Sequence, residues 1–170
     1  MRATLLAILL LLLAAEARAD KYVLCDDSVP SGIECFITAL DRAYDYCTKV
    51  QSIVIIEFGM EEANAGTNGA KLAACADKYQ RDLKPSYLAA LKEMAKHRGL
   101  TERVKEAHAF WAESVKALAP QTGESELDYK LRVMERVDHL RDRAGEIRTA
   151  LAERAAALAQ KVTGKPKKKT

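Results

Sequence analysis

Val50-Gln51-Ser52-Ile53-Val54-Ile55-Ile56-Glu57-Phe58 is the one run in this chain whose composition favours a strand, because it is rich in β-branched residues and apolar on all sides. A strand needs a partner, and no second segment of this kind occurs to pair with it. The run is therefore read as the buried end of a helix that begins upstream, and the fold class becomes all-α. Ser31 is placed as N-cap with Glu34 three residues later, a capping box. The stripe Ile33, Phe36, Ile37, Leu40, Tyr44, Cys47 then steps by three and four, which buries one helical face and starts the helix near Gly32.

Downstream, Asn64-Ala65-Gly66-Thr67-Asn68-Gly69 reads as a loop from its glycines and asparagines. Leu72, Cys75, Tyr79, Leu83, Tyr87, Leu91 and Met94 give a second helix to about Lys96, with Gly99 beyond its end. Pro85 falls in its interior, so a kink or break is expected near Lys84, where the ring removes a donor and crowds the preceding turn. A third helix opens at Thr101, carries Val104, His108, Trp111, Val115 and Leu118, and finishes before Pro120. The last helix starts between Glu124 and Glu126 and shows one stripe through Leu127, Leu131, Met134, Val137, Leu140, Ala144, Ile147, Leu151, Ala155, Leu158 and Val162. At about 1.5 Å per residue it exceeds ~50 Å, longer than a compact body needs, so its far half projects or packs on another chain. Its charged face, with Glu135, His139 and Arg141, is solvated. The expected architecture is a disulfide-stapled antiparallel bundle of about four helices with a long C-terminal helix.

The leader sets the compartment. Arg2, the apolar run Leu5 to Ala15 and Ala17-Arg18-Ala19 before Asp20 have the form of a secretory signal peptide over residues 1–19. The apolar run falls short of the roughly 20 residues that span a bilayer, and Tyr22-Val23-Leu24 before Cys25 is no lipobox. One helical domain over 20–162 follows, then a disordered lysine-rich tail over 163–170. The mature protein is expected in the periplasm or outside the cell, without a membrane span. Across the 170 residues Lys plus Arg (27) barely exceeds Asp plus Glu (24). Four of those bases are Lys165, Lys167, Lys168 and Lys169 of the tail. The body is therefore slightly acidic, and nucleic acid is not an expected partner.

Cys25, Cys35, Cys47 and Cys75 all survive cleavage, and an even count in an oxidising compartment points to two disulfides. Cys35 and Cys47 on one helix would lie about 18 Å apart, against the ~7 Å that a disulfide allows between Cα atoms. Of the two other connectivities, Cys25–Cys35 with Cys47–Cys75 is preferred: the first closes a short loop over Pro30-Ser31-Gly32, and the second staples the first long helix to the next. No Cys-x-x-Cys and no His-Glu-x-x-His occurs, and His97, His108 and His139 are far apart, so neither a metal nor a cofactor is expected. Gly66-Thr67-Asn68-Gly69 lacks the lysine and strand of a phosphate loop, and no Gly-x-Ser-x-Gly is present. Asp26-Asp27 and Glu61-Glu62 read as solvated charge, His108 as a core histidine with one backbone partner, and Trp111, Tyr79 and Tyr87 as core anchors. The chain is not expected to be an enzyme.

Cys75 opening a helical hairpin, Leu83 and Tyr87 four apart, Leu91, and then Ala107-His108-Ala109-Phe110-Trp111 on the next helix resemble the LprI-like lysozyme-inhibitor family over residues 70–118. The chain departs from that pattern at Lys84, Pro85 and His108, and Ser114 to Leu118 hold no closing cysteine. The resemblance implies a rigid inhibitor of a cell-wall muramidase such as lysozyme that presents a loop to the enzyme's cleft. Here that loop is Asn64 to Gly69, flanked by Glu61 and Glu62, with Glu61, Glu62, Asn64 and Asn68 as partner contacts. Export, small helical build and missing catalytic groups equally suit an immunity protein against a secreted toxin. A different class of function is a periplasmic chaperone or scaffold that self-associates through the long C-terminal helix.

Overall fold

The computed structural model describes residues 32–163, with side chains to residue 160. The leader, Cys25, the Ser31 cap and residues 164–170 lie outside the described residues. Four helices and no strand are present among the described residues: α1 (Gly32–Glu62), α2 (Gly66–Met94), α3 (Arg98–Lys116) and α4 (Glu126–Thr163).

Cross-helix pairs fix an up-down-up-down register. Cys47 is bonded to Cys75 with 5.8 Å between Cα atoms, and at the other end of the same pair the Ile33 N–H donates to Glu93 Oε2 (3.1 Å), so α1 and α2 are antiparallel. Tyr87 on His108 joins α2 to α3. Arg103–Glu146 (2.9 Å) and Arg136–Ser114 (3.4 Å) join α3 to α4, while Arg141–Asp41 and Arg148–Glu34 close α4 back onto α1. The core that results takes Phe36, Tyr44 and Cys47 from α1, Tyr79 and Leu83 from α2, Val104, Trp111 and Val115 from α3, and Tyr129, Val133, Leu140 and Ile147 from α4. Cys35 is also disulfide-bonded; Cys25, its expected partner, is outside the described range.

The Val50–Phe58 run is helical, but it is not buried all round. Gln51 and Val54 face the core, whereas Ile56 is 83% exposed and Ile53 and Phe58 are also on the surface. A helix at the edge of a four-helix bundle has neighbours on one side only, so an apolar run that surrounds the axis must leave part of itself in water. The same geometry divides the stripe of α4. Leu140 and Ile147 are buried and Val137 and Ala144 pack against the core, but Leu127 is 66% exposed, with Leu131 and Met134 beside it. Over these first turns Tyr129 and Val133 hold the core side instead, so α4 begins with two apolar faces. Residues 152–160 are exposed apart from half-buried Arg154, and the far end of α4 projects as its length requires.

The helix boundaries also differ from expectation. The loop after α1 shrinks to residues 63–65, and Gly66 to Gly69 belong to the first turn of α2. A Cβ at Gly69 would sit 2.7 Å from the Asn64 carbonyl oxygen, so only glycine lets α2 start this close to the turn. Pro85 does not break α2: it and Arg81, whose carbonyl loses its donor, both lie on the exposed side, where the ring has room and water supplies the missing bond. α3 opens at Arg98, ahead of Thr101, whose hydroxyl bonds back to the Met94 and His97 carbonyls. His108 has no backbone partner among the described residues. Its half-buried ring stacks on Tyr87 at 4.2 Å, near Phe36 and Trp111.

Candidate functional site

At one end of the bundle the α1–α2 turn meets the long connection between α3 and α4. The meeting depends on Gly59, whose φ of 82° and ψ of 169° interrupt α1 in a region that side-chain-bearing residues rarely enter. The chain then makes one further turn, Met60 to Glu62, closed by the Ala63 N–H donating to the Gly59 carbonyl. The Asn64 side-chain amide donates to the Pro120 carbonyl and ties the two loops together. Between them lies a cleft of about 550 Å³ lined by Met60, Glu61, Asn64 and Pro120 to Glu124.

Arg132, one turn into α4, stiffens the far wall. Its guanidinium donates to the Ala117 and Ala119 carbonyls at the end of α3 and to both oxygens of Glu124 (2.7 Å each). Both side chains are largely buried, and the Glu124 carboxylate in turn accepts from the Gln121 N–H. These hydrogen bonds hold Glu124 below the usual carboxylate range, Arg132 first among them. Beneath them, burial pushes the Tyr129 hydroxyl up to about 12.

The charge of this end leans acidic, with Lys71 over the Phe58 ring (5.1 Å) set against it. Residues 57–69 and 119–129 carry six carboxylates, Glu57, Glu61, Glu62, Glu124, Glu126 and Asp128, and no Lys or Arg. Glu124 and Glu126 are paired with Arg132 and Lys130, and Asp128 accepts from Ser125. Glu57, Glu61 and Glu62 are exposed and form no ion pair among the described residues. The same helices expose large apolar side chains: Ile53 and Ile56 towards the end of α1, and Leu127, Leu131 and Met134 on the first turns of α4.

Of the four expected contact residues, Glu61 and Asn64 line the cleft. Glu62 is exposed beside it, with its carbonyl taken by the Ala65 N–H and by the Asn68 side chain. Asn68 is thus a strut of the turn, half-buried rather than presented. Sequence reasoning missed the opposing wall and Arg132. The turn-forming Pro120-Gln121-Thr122-Gly123 was visible, but its approach to Asn64 is a tertiary fact without a local signal. The lining offers two carboxylates and one hydroxyl, with no histidine, cysteine or lysine, and among the described residues no group of three or more His, Cys, Asp or Glu could hold a metal ion. Among them, too, no helix is long and apolar enough to cross a membrane. In comparisons with protein-family models, with curated proteins and with solved structures, nothing matches this chain.

Proposed function

We propose that the chain is an exported, periplasmic or secreted binding protein that neutralises a cell-wall hydrolase or a secreted toxin, in the manner of a lysozyme inhibitor or an immunity protein. The observation that carries this reading is the acid-lined cleft at a bundle end whose helices also expose large apolar side chains, the two ingredients of a surface that docks another macromolecule. The Cys47–Cys75 bond and the Arg132 clamp support it further, because a surface held rigid before contact loses little entropy on binding.

Purified mature protein should slow lysis in a muramidase turbidity assay, or protect cells that express the cognate toxin. Glu61→Arg with Asn64→Arg should abolish the effect while the helical circular dichroism is retained. A protein that does neither, against a panel of exported hydrolases and toxins, would retire the proposal. A scaffold that self-associates through α4 is the second reading, favoured by the exposed Leu127, Leu131 and Met134 and by the projecting far end. Light scattering of the intact protein and of a chain ending at Ala150 tests it: an unchanged monomer in both removes that reading.

A further inference from the structure

We infer that the partner held at this end of the bundle is a basic protein surface, one that offers Lys or Arg side chains around an apolar group. The inference rests on the reading of the bundle end as a docking surface and adds the chemistry of what docks there.

Two features select this partner. The turns of α1 and α4 that lead to the cleft expose large apolar side chains, Ile53 and Ile56 on α1 and Leu127, Leu131 and Met134 on α4, each able to cover an apolar group of a partner. At the same end, Glu57, Glu61 and Glu62 have no ion pair among the described residues, and no Lys or Arg lies in the two segments that form the cleft. An acidic partner would meet like charge at Glu57, Glu61 and Glu62, of which Lys71, seated over the Phe58 ring at 5.1 Å, offsets only part, whereas a basic one gains a pair at each carboxylate and is steered in as it approaches. The far end of the bundle is the reverse. Residues 92–105 carry Lys92, Lys96, Arg98, Arg103 and Lys105 against Glu93 and Glu102. Its charge is therefore segregated along the bundle axis, and the preference for cations belongs to one end of the protein rather than to its net charge.

The test uses the intact, oxidised protein and two labelled probes, an amphipathic helical peptide of leucine and lysine and its counterpart with glutamate at each lysine. Fluorescence anisotropy is read in about 0.1 M and about 1 M NaCl, between which the screening length falls from about 10 to about 3 Å. The lysine peptide should bind roughly tenfold or more tighter than the glutamate peptide, and the advantage should vanish in high salt. Glu57→Gln with Glu61→Gln and Glu62→Gln should weaken its binding roughly tenfold in low salt, at the few-fold that each exposed ion pair supplies. Ile56→Ser with Leu131→Ser should weaken it at both salt concentrations, and Lys92→Gln with Lys96→Gln at the far end should leave it unchanged. If the glutamine variant binds like the wild type while the serine variant fails, the docking surface stands and its basic partner is refuted. If neither set of substitutions matters, the docking surface falls as well. If light scattering finds the protein alone dimeric through Ile56 and Leu131, a second copy is the occupant and the inference is overturned.

Discussion

Arg132 reaches two carbonyls at the end of α3 and both oxygens of Glu124, so one side chain joins the close of one helix to the approach of the next. Arg132→Met keeps the apolar stem and removes every one of those bonds, leaving a largely buried carboxylate with only the Gln121 N–H and two carbonyls without their donor. The expected loss is about 2–4 kcal/mol, a fall in Tm of roughly 4–16 °C by thermal circular dichroism; a shift under a degree would remove Arg132 from the role of clamp. Gly59→Ala forces a Cβ into φ 82° and should cost about 1–3 kcal/mol in urea unfolding. His108 adds a dependence on pH, because burial against Tyr87 lowers its pKa below the ordinary 6.5. The folded state then binds the proton less readily than the unfolded chain, so the full stability is present above about pH 6.5 and is lost as the pH falls toward the folded value. Tm should decline over that interval, and His108→Phe, which keeps a ring on Tyr87, should flatten the decline. None of these three roles has a mark in the sequence: Arg132 resembles any helical arginine, Gly59 any helix-end glycine, and the stacking of His108 depends on an aromatic residue of another helix.

At the scale of the helices the sequence is far more legible, because burial repeats every three or four residues whatever the neighbours are. Ile33 to Cys47, Leu72 to Met94 and Val104 to Leu118 announce their buried faces, and the Cys47–Cys75 staple is the preferred one of the two pairings that helix spacing leaves open. What periodicity cannot give is which side of an apolar run has neighbours. Val50–Phe58 and Leu127–Met134 both read as core, yet Val54 and Val133 take the buried side and Ile56, Leu127 and Leu131 are left in water. The staple itself has a calculable share. It closes a separation of 28 residues, so Cys47→Ser with Cys75→Ser should cost about 3.5 kcal/mol through the freedom returned to the unfolded chain, read as a lower urea midpoint with a steeper slope, because the uncrosslinked chain unfolds to a more expanded state. Among the described residues, removal of 151–170 deletes only the half-buried Leu151 and Arg154 and should leave Tm within a few degrees.

For the whole molecule, the decisive feature is that the backbone of α1 runs close to all three other helices, whereas those of α2 and α4 stay apart across the bundle. The α1–α2 hairpin is covalently closed, and α3 lies over it through Tyr87, His108 and Trp111. α4 is held along its middle by Leu140 and Ile147 and by the ion pairs to Asp41 and Glu34, and its described far residues, 152–160, are exposed apart from half-buried Arg154. Resistance to opening should therefore fall outward from α1. Native-state hydrogen exchange resolves this directly, since amides that open only with global unfolding exchange far more slowly than those released by local fraying. Amides near Phe36, Cys47 and Tyr79 should show the full unfolding free energy, those of α3 somewhat less, and those of residues 152–160 almost none. Reduction of the disulfides should pull the α1–α2 amides down toward the level of α3 without changing the far end of α4, which the staple does not reach. Protection at 152–160 equal to that at Cys47 would contradict this order, and would mean that the projecting end of α4 is covered in solution by something beyond the described bundle, a second copy being the first to test by repeating the measurement at lower protein concentration.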